Sequence, residues 1–260
     1  MAEPLLVAES VSMTYQGTDG DMEALGETSL QVTRGEFVCL LGPSGCGKST
    51  LLHILGGLRR PTSGRVVFDG RPLLRPQQRI AYVFQKANLM PWRTALENVA
   101  LPLQLHGCSG EQARRQARQA LARVGLASSE GVYPRALSGG MEQRVAIARA
   151  LVQGADLLLL DEPFGSLDAL TREQMNQELL RLWQHEGKTV VMVTHAISEA
   201  IFLADRILVL TSRPGRPALE TPVTLPRPRP LDGCAQPEYA RLAARLRHAI
   251  GQGEWAFTGS

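Results

Sequence analysis

No stretch of this chain constrains its fold more than GPSGCGKST, residues 42–50. It matches GxxxxGK[ST] from Gly42 to Ser49, follows the apolar run FVCLL and runs into LLHILGGL, whose spacing is helical. A buried strand, a glycine loop and a helix in that order predict an α/β layer with the loop at the strand's carboxyl end. Glycines let backbone N–H groups turn inward around phosphates, Lys48 adds a point charge, and Ser49 offers a hydroxyl to Mg²⁺. Gly42, Pro43, Ser44, Gly45, Cys46, Gly47, Lys48, Ser49 and Thr50 are therefore read as one phosphate cradle. Composition sharpens the point. Of 28 basic residues only Lys48, Lys86 and Lys188 are lysines, so a lysine here suggests a site a planar guanidinium cannot fill.

A second constellation lies at LLLLDEP, 157–163. Adjacent carboxylates at the end of a buried strand are costly unless they do chemistry, so Asp161 is read as a Mg²⁺ ligand and Glu162 as the group that orients or deprotonates an attacking water. An acidic helix cap is the plainer alternative. His195 follows the strand-like TVVMVT, where a lone histidine is more often a surface or core residue than a catalytic one. At 137–144 the text reads LSGGMEQR, and Ser138, Gly139 and Gly140 open a helix whose free N–H groups attract anions, although a serine cap alone would look the same.

Along the rest of the chain, LLVAESVSMTY and ALGETSLQV predict N-terminal strands, with RVVFDG and IAYVF as further short ones. Helical spacing dominates from Thr94 to Gly154 in TALENVALPLQL, EQARRQARQALARVGL and MEQRVAIARALVQG. After LLLL come a helix near 171–185, the strand TVVMVT, a helix ISEAIFLA and the strand RILVL. The expected division is a phosphate-binding domain over 1–212 with a helical subdomain at about 90–154, then an accessory segment over 213–260 that begins RPGRPALETPVTLPRPRP and ends in the helical YARLAARLRHAI.

At 260 residues the chain can bury a full core, and a net charge of +3 without a basic stripe argues against a nucleic-acid partner. Cys39, Cys46, Cys108 and Cys234 form no CxxC pair and read as small hydrophobes in a reducing compartment. No signal-peptide pattern opens the sequence, and no apolar run reaches the ~20 residues that cross a bilayer. Any membrane role is expected to run through a partner.

The order of these pieces, phosphate loop, LSGG, LLLLDEP, SLD at 166–168 and His195, resembles the ATP-binding cassette (ABC) family over nearly the whole chain. The resemblance implies a P-loop NTPase core with a mixed sheet, an N-terminal antiparallel β portion and a helical subdomain. It implies ATP and Mg²⁺ as cofactors and a head-to-tail dimer with a second copy, in which Ser138, Gly139 and Gly140 of one copy grip the γ-phosphate held by the other. By that likeness Tyr15 stacks on adenine, Gln85 touches Mg²⁺ and the attacking water, Asp168 crosses the dimer interface, and His195 holds the γ-phosphate. The family's usual LSGGQ reads LSGGM here, and Met141 cannot donate the hydrogen bond of a glutamine. The stretch from Phe84 to Leu103, DEPFGSLDALTR at 161–172 and the proline-arginine tail look like the nitrate, sulfonate and taurine branch of ABC importers. That branch implies a peripheral ATPase at the cytoplasmic face of the inner membrane, a membrane permease, and a solute-binding protein that delivers cargo. Leu89, Met90, Pro91 and Trp92 are either core or the permease-docking surface. The competing expectations are a soluble ABC protein acting on nucleic acid or ribosomes, an ABC importer motor for an unrelated solute, and a P-loop kinase or GTPase.

Overall fold

The computed structural model describes residues 3–17, 20–165, 167–229 and 236–251, so Ser166 of the SLD stretch and Cys234 lie outside the described residues. The chain divides into two compact units: Met1–Gln77 with Gly187–Ser260, and Gln78–Glu186.

In the first unit, β1 (Pro4–Tyr15) pairs antiparallel with β2 (Met22–Thr33) and with β4 (Ser63–Phe68), and β5 (Arg71–Pro72) closes the edge. The central strand of its other sheet is β3 (Phe37–Leu41), flanked in parallel by β8 (Thr189–Thr194) and β9 (Arg206–Leu210). All five residues of β3 and all six of β8 are buried, as expected of parallel strands covered on both faces. A strand not anticipated from the sequence, β10 (Pro217–Pro222), pairs antiparallel with β9 and makes this sheet mixed. Helix α1 (Lys48–Leu55) buries Leu51, Leu52, Ile54 and Leu55. It is shorter than the apolar run LLHILGGL suggests, because the chain leaves the helix at Gly56 and takes a left-handed turn at Gly57, φ +69°.

The tail is woven into this unit. Arg229 is buried and donates to Leu225 O at 2.9 Å, Ile201 O at 2.9 Å, Ala204 O at 2.5 Å and Val223 O at 3.0 Å, so it satisfies carbonyls at the end of α6 (Ile197–Leu203). Burial, and then the charge of Arg227, bring its pKa down to about 10. Helix α7 (Pro237–Gly251) buries Tyr239, Leu242, Ala243, Leu246 and Ala249 along one face.

The second unit contains the parallel pair β6 (Ile80–Val83) and β7 (Leu157–Asp161) with α2 (Ala95–Leu105), α3 (Gly110–Arg123), α4 (Gly139–Leu151) and α5 (Ala169–Glu186). A capping box starts α2: Thr94 Oγ1 accepts from Glu97 N and the Glu97 carboxylate accepts from Thr94 N. One turn on, buried Asn98 accepts from Met90 N at 2.7 Å and donates to Met90 O and Arg93 O. A single amide thus fixes the Met90–Arg93 turn, and Trp92 is held outward, 71% exposed, with Pro91 also exposed. The apolar cluster of 89–92 is not core.

Candidate functional site

The first unit carries the phosphate loop. It leaves β3 at Gly42, where a Cβ would stand 2.7 Å from Leu210 O, and enters α1 at Gly47, φ +98°, where a Cβ would stand 2.5 Å from Ala24 O. Both positions admit only glycine, one for space and the other for space and backbone sign. Lys48 is 4% exposed, and its ammonium donates to Gly42 O at 2.9 Å and Pro43 O at 2.7 Å, which ties the two ends of the loop together. Cys46 is buried within the loop and burial raises its pKa, as it does for Cys39, so neither thiol has the thiolate character reactivity needs.

Beside the loop, the Tyr15 hydroxyl lies 3.3 Å from Thr50 Oγ1, and the Arg59 guanidinium sits over the Tyr15 ring, 4.9 Å from its centroid. One face of the ring is therefore taken by a cation–π contact that stiffens it. His195 is exposed at the end of β8 in a turn pinned by Thr194, whose hydroxyl accepts from Ala196 N at 3.0 Å and donates to the Glu199 carboxylate.

The second unit carries the carboxylate pair. Asp161 is the buried last residue of β7, and its charge, after burial, raises the pKa of Tyr82 on β6. Glu162 follows with φ +42°, a left-handed backbone that a non-glycine residue seldom adopts, and its carboxylate lies 3.4 Å from Gln85 Nε2. Backbone strain therefore falls on the residue read from sequence as the water-activating group.

Gln85 sits in a loop tethered to α4. Gln143 donates to Phe84 O at 3.2 Å, and Arg149 donates to Ala87 O at 2.7 Å and Asn88 O at 2.9 Å. At the other end of the same helix Ser138 is the N-cap and accepts from Met141 N at 3.3 Å, which uses a lone pair and leaves its O–H available to donate. Gly140 packs near Thr171 and Leu167, whereas a Cβ on Gly139 would meet nothing within 4 Å. Asp168 is exposed and caps α5 through Thr171 N at 3.0 Å, the contact that lowers its pKa.

Gln143, Arg149, Arg59 and Arg213, described further below, were not singled out from the sequence. Each acts on a carbonyl, a thioether or a ring face distant in the chain, and no short motif encodes such a partner.

Known proteins are similar to this chain over most of its length. The family described as ABC transporter matches residues 25–165. The chain is 43% identical over 240 residues to the nitrate import ATP-binding protein NrtD of Synechococcus elongatus, covering 90% of this chain and 87% of that protein. It is 49% identical over 202 residues to the taurine import ATP-binding protein TauB of Yersinia pestis, covering 78% of each. Among solved structures it resembles the ATP-binding cassette MJ0796 in a dimeric post-hydrolysis state bound to ADP and Pi, with TM-score 0.77, 38% identity and coverage of 85% of this chain and 99% of that one. It also resembles cbiO1 from Clostridium perfringens, part of an ABC transporter complex, with TM-score 0.76, 27% identity and coverage of 97% and 99%. A glycine loop entering α1, a carboxylate pair ending β7, a helix opened by Ser-Gly-Gly and these likenesses place the chain in the ABC transporter family, as one of its ATPases.

Proposed function

We propose that this chain is the ATP-hydrolysing motor subunit of an importer for a small anionic solute such as nitrate, taurine or an alkanesulfonate. It works as a head-to-tail dimer on a separate membrane permease at the cytoplasmic face of the inner membrane, and a solute-binding protein delivers the cargo. No helix among the described residues is long and apolar enough to cross a membrane, so the translocation path is assigned to the permease. The relatives named for nitrate and taurine import support the cargo class. Trp92 and Leu105, 71% and 76% exposed, support a docking surface on the second unit.

The observation that carries the dimeric reading is Gly139. Its φ is not left-handed and no atom among the described residues would crowd a Cβ there, so the described packing does not call for a glycine. Close approach of a partner copy's phosphate to the α4 N-terminus supplies a reason for one.

The residues fit the cofactors. The loop is a cradle in which Gly42 and Gly47 have no room for a Cβ, and Ser49, Gln85 and Asp161 are oxygen donors of the kind Mg²⁺ takes. Lys48 and the loop amides of 42–50 hold the outer phosphates, and Tyr15, stiffened by Arg59, receives the adenine. Mg²⁺, when bound, neutralises charge that develops between the phosphates. Glu162 orients and accepts a proton from the attacking water, with Gln85 beside it, and His195 contacts the γ-phosphate. Ser138, Gly139 and Gly140 serve the partner copy's nucleotide, and Asp168 faces the dimer interface while capping α5.

The test is Glu162→Gln. The variant is expected to bind ATP, to elute as an ATP-dependent dimer in size-exclusion chromatography, and to lose turnover by orders of magnitude. A monomeric, fully active variant refutes the assignment. ATPase stimulation by nitrate, taurine or an alkanesulfonate, measured with the cognate permease and binding protein, then identifies the cargo.

A further inference from the structure

The turn joining β9 to β10 lies against the phosphate loop. Thr211 N donates to Arg216 O at 2.9 Å, Arg216 N donates to Thr211 Oγ1 at 3.1 Å, and Thr211 Oγ1 donates to Pro214 O at 3.3 Å, so the turn is braced across its base. It touches the loop in three places. Leu210 O lies under Gly42, as described above. Gly215 is buried so closely that a Cβ there would stand 1.8 Å from Cys46 O, and its carbonyl accepts from Gly26 N at 2.9 Å. Arg213, exposed and reaching from the tip, donates from Nε to Gly45 O at 2.8 Å and from Nη1 to Met22 Sδ at 3.5 Å.

The contact to Gly45 matters because of what that peptide does. Gly45 has φ +74°, on backbone that can turn either way with little steric cost. The peptide unit is planar and trans, so holding the Gly45 carbonyl toward Arg213 turns the following N–H, that of Cys46, to the opposite side. That N–H closes the turn onto Pro43 O at 3.4 Å. A flip of this peptide would aim a carbonyl dipole into a cradle built for anions.

We propose that Arg213 is a positioning residue for the phosphate loop: its guanidinium holds the Gly45 carbonyl away from the side on which the Cys46 N–H and the Lys48 ammonium meet Pro43 O, and the braced turn of 211–216 is the support it acts from. The proposal rests on nucleotide binding at the loop, the reading given above. It makes the first residues of the proline-arginine tail part of the nucleotide-binding device. Arg213 acts before chemistry, by removing a loop conformation that phosphate cannot use, so its loss lowers the binding-competent fraction and appears in affinity.

The experiment uses the full chain and compares wild type with Arg213→Met, which keeps length without a donor, and Arg213→Lys, which can still reach a carbonyl. Three quantities are measured: the Kd for ATP by calorimetry, KM and kcat for ATP hydrolysis, and amide hydrogen exchange of residues 42–50 in protein without nucleotide. For Arg213→Met a rise of about tenfold in Kd and KM is expected, with kcat changed less than twofold and exchange accelerated in the loop alone. Arg213→Lys should recover most of the affinity. Unchanged Kd and loop exchange in Arg213→Met would overturn the proposal, and so would a loss of melting temperature with faster exchange throughout the first unit and no recovery by lysine. Wild-type protein that fails to bind ATP would instead refute the underlying functional reading, and normal ATP binding with a normal Glu162→Gln phenotype leaves that reading standing whatever Arg213 does.

Discussion

Removing the Trp92 side chain separates a docking surface from a core by magnitude. A fully covered tryptophan takes up to about 250 Å² out of water. With 71% of Trp92 exposed, roughly 70 Å² is covered, worth at most ~2 kcal/mol at about 25 cal/mol per Å². A core tryptophan replaced by alanine costs ~3 to 5 kcal/mol. The turn beneath survives the change, because Asn98 holds the backbone of Met90 and Arg93 rather than the indole. Trp92→Ala should therefore lose less than ~2 kcal/mol in urea denaturation of the isolated subunit at unchanged m-value, with nucleotide affinity intact. On the docking surface proposed above the same residue would be an aromatic anchor, and losing one is worth ~2 kcal/mol or more, about thirtyfold in affinity. Co-purification with the permease and solute uptake are the readouts. A destabilisation above ~3 kcal/mol, or normal uptake by a folded variant, refutes the reasoning.

Two further outcomes follow from the loop and the signature. Lys48→Arg places a longer, planar head where the ammonium already contacts Gly42 O and Pro43 O in a space 4% exposed; most ATPase activity should be lost while circular dichroism shows a folded chain, and wild-type turnover would refute the cradle. Met141→Gln keeps the backbone N–H that Ser138 caps, so ATPase activity of the assembled transporter should stay within about tenfold, and a larger loss, above ~1.4 kcal/mol of barrier, would show that the methionine side chain has a role of its own.

The parts legible in the sequence are those whose physics is local. FVCLL reads as a buried strand because all five residues are buried, and GPSGCGKST reads as a loop because its glycines supply backbone freedom and space within nine residues. β10 was not read, because PALETP begins and ends with proline; such a segment survives as a strand only at a sheet edge, and a sequence does not announce an edge. Similarly, the proline-arginine tail reads from sequence only as an accessory segment. Arg229 is buried against carbonyls 4 to 28 residues away, and nothing in the sequence distinguishes it from the half-buried Arg227 two residues before it. The tether from Gln143 and Arg149 to the loop around Gln85 is hidden for the same reason: its acceptors are main-chain oxygens, which every residue has. Glu162 was picked for its carboxylate, yet its left-handed backbone has no trace in residue type.

Arg229 also bears on how this sequence can drift. One planar fork reaches four carbonyls that lie in different directions, and a lysine, with three donors on a single atom, would leave at least one of them buried and unmade. At exposed positions such as Arg114 and Arg115 the exchange for lysine costs little. A lineage moving from arginine toward lysine would therefore change first at the surface of α3 and last at position 229, where the residue choice reflects geometry and not habit.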